Sequence, residues 1–170
     1  MKRLEAQGVG LEIANATLAL IFARILGNQK NSFKIVSWKA SVVNHAKAST
    51  SRCTIRVRVR DRTVEKSAMG NGPVNAFDLA LRKALSSTCP KISKMRLTAY
   101  RVRELDPESA TAAKVAVHID YSNGQDDWTA AAVSTNILDA SLSALVDGYQ
   151  YFLWMEDRIQ RALLGWESAK

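Results

Sequence analysis

A chain of 170 residues, 47% hydrophobic and 24% charged, can bury a core and does not have the composition of a disordered tract. Its net charge of +8 raises nucleic acid as a partner, whereas no apolar run approaches the roughly 20 residues of a bilayer span. Cys53 and Cys89 lie outside any metal-type spacing, so packing is their expected role and a reducing cytoplasm the expected location.

Residues 1–30 read as a helical linker, broken at Gly8 and Gly10. Ala14, Leu18, Ile21, Phe22 and Ile25 form an apolar stripe, and Gly27-Asn28 supplies a stop. Glu12 and Arg24 bound or interrupt the apolar stretch, and no signal-peptide cleavage pattern follows. Residues 33–43, 53–60 and 62–69 read as strands, the last two joined by a tight turn near Asp61. A helix over 74–86 follows, and Pro90 ends the connection. Residues 95–105, 111–121 and 126–133 read as three more strands, with Ser122-Asn123-Gly124 as a hairpin signal. Ser134 or Thr135 is expected to cap a long helix that starts near Asn136, with a bend at Gly148, and runs to about Leu164. Tyr149, Tyr151, Phe152 and Trp154 on it read as packing. Residues 165–170 read as a frayed tail.

The chain repeats itself. At an offset of about 60 residues Val42 matches Val102, Ile55, Val57 and Val59 match Val115, Val117 and Ile119, Ala80 matches Ala140, and Ala84-Leu85 matches Ala144-Leu145. The expected fold is therefore α+β: two pseudo-repeated βββα units, about 33–88 and 95–150, in one domain over 31–164.

Gly70, Asn71, Gly72 and Pro73 lead directly into the first repeat helix. Pro73 fits a first helical position, where its missing N–H costs nothing. A helix N-terminus offers free N–H groups and a partial positive charge to a carboxylate. Elsewhere chemistry is sparse. His45 and His118 are the two histidines, and no nucleophile elbow, P-loop or paired metal ligand is present. Asp126-Asp127 is explained by its turn, and Asp139 and Asp147 by solvation. No catalytic residue, metal site or cofactor is expected. Arg52, Arg56, Arg58, Arg60 and Arg62 alternate with aliphatics and form the basic face of one strand. RNA-binding sheets add exposed aromatics for stacking, and none interleaves here, which argues against nucleic acid.

Gly70-Asn71-Gly72-Pro73-Val74-Asn75-Ala76, with Ala80-Leu81-Arg82-Lys83-Ala84-Leu85, resembles the signature of the C-terminal allosteric, dimerising domain of α-isopropylmalate and citramalate synthases. Trp128, Val133-Ser134-Thr135-Asn136-Ile137, Ala140-Ser141 and Ala144-Leu145-Val146-Asp147 resemble its second signature. Tyr100-Arg101-Val102-Arg103 before Leu105 and Thr111-Ala112-Ala113 fit the same pattern. The resemblance covers about residues 33–153. Leu4-Glu5-Ala6-Gln7-Gly8 and residues 14–20 resemble the linker of the citramalate synthase branch.

The resemblance implies a homodimer that binds a branched-chain amino acid, isoleucine or leucine, for feedback inhibition of a separate acetyl-CoA-condensing barrel, in cis or trans. The chain itself is then regulatory rather than an enzyme. The effector region falls at Gly70, Asn71, Gly72, Pro73, Val74 and Ala76 and at Ala132, Ser134, Asn136, Ile137 and Ala140. Val74, Ala76, Ile137 and Ala140 are candidates for the apolar wall, and Asn71, Asn75 and Asn136 for polar contacts. Ala132 stands where the second signature usually has glycine, and Ala99 where aspartate often precedes the tyrosine. A ligand-free dimerisation module and a basic adaptor or nucleic-acid-binding module are the alternatives.

Overall fold

The computed structural model describes residues 14–27, 31–45 and 48–167. The expected helical pieces over 1–13 with Gly8 and Gly10, Asn28 of the expected stop, and residues 168–170 of the tail lie outside the described residues. Helix α1 (Asn15–Ile25) precedes two units. In the first, β1 (Phe33–His45), β2 (Ala48–Val59) and β3 (Arg62–Gly70) form an antiparallel sheet in that order, followed by α2 (Pro73–Leu85). In the second, β4 (Arg96–Glu104), β5 (Val115–Ser122) and β6 (Asp127–Ser134) form another, followed by α3 (Ile137–Glu167). The α+β architecture of two βββα units stands as expected.

Period-two patterning decides which sheet face is buried. In β2 Cys53, Ile55, Val57 and Val59 are buried, while Arg52, Arg56 and Arg58 face solvent. β2 starts five residues before the expected position. Ser51 is buried and pairs with Val42 and Gly70, so a polar stretch with no glycine or proline continues the ladder. Residues 111–114, expected as strand, instead belong to a turn of 3₁₀ helix and its exit. There the Asp106 carboxylate accepts from the Lys114 N–H, which delays β5.

The repeat has a different offset from the one expected. Both first strands shift register once, at Val36 and at Thr98. Ile35 lies opposite Val57, and Leu97 opposite Tyr121. Val57 lies opposite Val64, and Tyr121 opposite Trp128. Equivalent residues are thus 62 apart in the first strands and 64 apart from the second strand through the helix. An error of four preserves strand parity and roughly one helical turn, so an offset of 60 still aligned apolar positions. Each register shift also turns residues three apart to the same side: Ile35 with Trp38, and Leu97 with Tyr100, all on the helix-facing side.

One continuous core runs through both units. It joins Ile55, Val57, Phe77 and Leu81 to Ile119, Tyr121, Trp128, Leu145 and Phe152. Each such large side chain contributes about 1.5–3 kcal/mol on burial. Tyr149 and Phe152 are buried in it, and Phe152 stacks on Trp128 at 5.7 Å. Gly148, where a bend was expected, lies inside the continuous helix α3. Glycine is needed there for space: a Cβ would overlap Cε2 and Cζ of the Tyr121 ring. The α3 cap is Asn136, whose Oδ1 accepts from Leu138 N–H at 2.9 Å. Ser134, expected as a cap, instead accepts from Asn136 N–H through Oγ.

The β6 edge would present unpaired N–H groups, a hazard in any open sheet. α1 covers it with side chains. Asn15 Oδ1 accepts from Thr129 N–H at 2.7 Å, and the Thr17 hydroxyl both accepts from Ala131 N–H and donates to Ala131 C=O.

Candidate functional site

The two helix N-termini differ. At α2, Gly72 is extended and no side chain caps the helix, so its first N–H groups stay available. Asn75 Oδ1 turns back to accept from Asn71 N–H at 3.2 Å. A Cβ on Gly70 would lie 2.5 Å from Asn75 Oδ1 and 2.6 Å from Ala76 N, so the chain packs too closely there for any side chain. At α3, Asn136 already occupies one of the N-terminal donors, Leu138 N–H.

Two cavities occupy equivalent places in the duplicated fold. The first, about 420 Å³, lies between β1 and α3 and includes Ile35, Trp38, Phe77, Leu142 and Val146 with Arg24, Lys34, Asp139 and Asp147. The second, about 650 Å³, lies between α2 and β4 and includes Val74, Asn75, Asp78, Arg82, Met95, Leu97 and Tyr100. Lys34, Ile35 and Trp38 of the first correspond to Arg96, Leu97 and Tyr100 of the second. Asp139, Leu142 and Val146 correspond to Asn75, Asp78 and Arg82. Each cavity is thus walled by the first strand of one unit and the helix of the other. Contacts beside them correspond too: Trp38 meets Phe77 edge-on at 6.4 Å, and the Tyr100 hydroxyl meets Ser141 Oγ at 2.8 Å.

A buried polar cluster borders the α2–β4 cavity. Tyr149 donates its hydroxyl proton to Asp78 Oδ1 at 2.6 Å, and Arg82 Nε donates to Asp78 Oδ2 at 3.0 Å. The same guanidinium donates to Met95 C=O at 2.7 Å and lies over the Tyr149 ring. Burial, and then Asp78, push the Tyr149 hydroxyl well up, so it stays a proton donor. Burial alone would lower the Arg82 pKa, but Tyr149 and Asp78 reverse it. Both Asp78 oxygens are engaged, which leaves this carboxylate little capacity for another cation.

The β1–α3 cavity has a different charge inventory. Arg24 pairs with Asp147 at 3.3 Å. Burial raises the Asp147 pKa, offset in part by Arg24 and by Thr17. Lys34 and Asp139 also line the cavity and form no ion pair among the described residues. The solvated role expected for Asp139 stands, because it is exposed, whereas Asp147 is half-buried and paired with Arg24; both line one cavity. Its other wall is β1, more than ninety positions earlier in the chain, and no local pattern on α3 reveals it.

Of the expected effector residues, Val74 lines the α2–β4 cavity, as does neighbouring Asn75. Gly70, Asn71, Gly72 and Pro73 form the turn above it. Ala76 and Ala140 are fully in the core, beneath their helices. Ala132 pairs with Val117 in the sheet. Asn136 caps α3, Ser134 accepts from the Asn136 N–H, and Ile137 is 46% exposed. The two N-termini do not share either cavity. Residue reading missed Asp78, Arg82, Met95 and Leu97. The i, i+4 spacing of Asp78 and Arg82 on a buried helix face was the available signal.

Among the described residues no group of three or more His, Cys, Asp or Glu could hold a metal ion, and no helix is long and apolar enough to cross a membrane. His118 lies on β5 beside Arg101 and Asp120, away from both cavities. Its pKa is lowered by burial and then by Arg101 and Arg103. Burial lifts the Cys53 thiol to about 11, in keeping with a packing role.

The family model of the LeuA allosteric (dimerisation) domain matches residues 12–153. Similar curated proteins include an (R)-citramalate synthase of Synechocystis sp., 38% identical over 158 residues, which are 90% of this chain and 29% of the relative. That of Geobacter sulfurreducens is 34% identical over 162 residues, 94% and 31% of the two chains. A 2-isopropylmalate synthase of Methanocaldococcus jannaschii is 24% identical over 154 residues, 90% and 28%. The chain spans about 30% of the length of these relatives.

Proposed function

The chain belongs to the LeuA allosteric (dimerisation) domain family, and on that premise we propose that it is the effector-sensing, dimerising part of a citramalate synthase-type enzyme. The observation that carries this is the α2–β4 cavity, which opens beneath an uncapped helix N-terminus. An effector with a branched aliphatic side chain, isoleucine or leucine, lies against Val74, Met95 and Leu97. Its carboxylate meets the free N–H groups at the start of α2, where the helix dipole also favours it, with Arg96 nearby. Tyr100 sets the far wall. Val74 and Asn75 are the cavity's contacts from the Gly70–Ala76 turn, while Ser134, Asn136 and Ile137 at the start of α3 lie outside it.

Dimerisation uses the helix-facing sides of β1 and β4 that α2 and α3 leave uncovered, where Trp38, Val42, Tyr100 and Val102 are exposed. The catalytic partner is a barrel that condenses acetyl-CoA with a 2-oxo acid, in cis or trans. Inhibition requires the effector to bind its two global states unequally. The whole operates in the cytoplasm, with no membrane or nucleic-acid partner.

Thermal unfolding with and without millimolar isoleucine, leucine or valine, at fixed protein concentration, tests the reading. A ligand at 100 times its dissociation constant adds about 2.7 kcal/mol to the folded state. A shift with one amino acid, reduced by Val74→Trp, is expected. A folded dimer that responds to none of them would leave dimerisation as the function.

A further inference from the structure

The duplicated fold carries a second cavity whose chemistry differs from that of the proposed effector site. We propose that the β1–α3 cavity is a separate binding site for a zwitterionic amino acid with an apolar side chain. An apolar amino acid needs three things: a carboxylate acceptor, a carboxylate-binding cation and a dry wall. Asp139 supplies the first, Lys34 the second, and Ile35, Trp38, Phe77, Leu142 and Val146 the third, with the Arg24–Asp147 pair on the same cavity.

Three observations favour a ligand over a merely solvated groove. Lys34 and Asp139 line the same cavity and leave each other unpaired. One ligand carrying both charges, flanked by aliphatic carbon, satisfies both at once. Gln150, at the base of the cavity, is buried with both ends engaged: its amide donates to Phe33 C=O at 2.7 Å, and its Oε1 accepts from Ser32 N–H at 2.9 Å. This fixes the start of β1 against α3, so the walls are held before any ligand arrives, which reduces the ordering cost of binding. Finally, the charge inventory has changed between the equivalent sites. Asp139 stands where the α2–β4 cavity has Asn75, and Val146 stands where it has Arg82. The β1–α3 cavity thus offers an unengaged carboxylate for an ammonium, whereas its counterpart offers Asp78 with both oxygens occupied. A volume of about 420 Å³ admits a leucine- or phenylalanine-sized ligand.

Isothermal titration of the 170-residue chain with L-leucine, L-isoleucine and L-phenylalanine tests this, in parallel with Val74→Trp, Lys34→Met and Asp139→Asn variants. Lys34 and Asp139 are exposed, so their variants should fold, and circular dichroism checks that they do. The expected result is saturable binding of at least one amino acid that persists in Val74→Trp and weakens about tenfold or more, roughly 1.4 kcal/mol, when Lys34→Met or Asp139→Asn is added to Val74→Trp. Removing the ligand's ammonium, by titrating 4-methylpentanoate, should abolish it. Binding lost entirely in Val74→Trp would overturn the second site while upholding the first. Binding indifferent to Lys34 and Asp139, or none at concentrations up to about 10 mM, which a ligand with two ion-pair anchors should saturate, would also overturn it.

Discussion

Replacing Gly148 by alanine should destabilise the protein, against the usual trend for helices. Gly148 lies inside the continuous helix α3. Alanine in a helix interior is ordinarily favoured over glycine by about 1 kcal/mol. The added methyl would overlap two atoms of the Tyr121 ring and lie 2.7 Å from its hydroxyl oxygen. The ring has nowhere to go. It is fully buried, stacked on Trp128 at 5.7 Å and edge-on to Tyr149 at 6.4 Å. Its hydroxyl reaches Leu145 C=O at 3.4 Å. Gly148 C=O in turn accepts from Trp128 Nε1 at 3.1 Å, so a displaced helix would also lose that bond.

Overpacking a well-filled core costs about 1–3 kcal/mol. A rigid ring held on two sides belongs at the upper end, so the net loss for Gly148→Ala is about 2 kcal/mol after the propensity gain. For a domain of this length that lowers the melting temperature by about 4–8 °C. Urea unfolding followed by tryptophan fluorescence, at fixed protein concentration, measures it. In a Tyr121→Leu background the cost of Gly148→Ala should shrink or reverse, because the clash partner is gone. An unchanged or raised urea midpoint for Gly148→Ala alone would refute the steric argument.

Two further predictions use the same measurement. Gly70→Ala should cost about 1–3 kcal/mol, because its methyl meets the Ala76 backbone, whereas Gly72→Ala should change stability by less than about 0.5 kcal/mol, since nothing lies within 4 Å of its Cβ position. Equal effects would contradict the geometry of the turn. Asp147→Asn should flatten the pH dependence of stability. Burial raises the native Asp147 pKa above its unfolded value, so the native state binds the proton more tightly. Stability from this group therefore falls as pH rises from the unfolded carboxylate range through the native pKa. Urea midpoints across that range should show the wild type losing ground to Asp147→Asn as pH increases, and parallel profiles would rule this out.

Alternation and turn chemistry made most of the fold legible. Arg52 to Val59 declare one buried and one solvated face, and Pro73 declares a helix start. What lay beyond reach involved residues distant in the chain. The connection from β4 to β5 is longer than that from β1 to β2, which moved the repeat offset from 62 to 64 without disturbing its parity, so the pattern matched in the wrong frame. Gly148 looked like a hinge because its reason for being glycine, Tyr121, lies on another element. Of the candidate site, the Gly70–Ala76 turn was readable, and Val74 does border a cavity. The resemblance placed Ala76 and Ala140 at a pocket wall, whereas both are buried in the core. A small apolar residue carries no local mark to tell a ligand wall from a packed interior. Asp139 and Asp147 were unreadable as cavity groups, because β1 completes that cavity.

Helix α1 joins two places at once. Near its start, Asn15 and Thr17 fasten it to β6. Two turns on, Arg24 reaches Asp147 at the rim of the β1–α3 cavity. Between them Ala16, Leu20 and Ala23 are buried, so the helix is held along its length and ties the sheet edge and the cavity rim into one rigid piece.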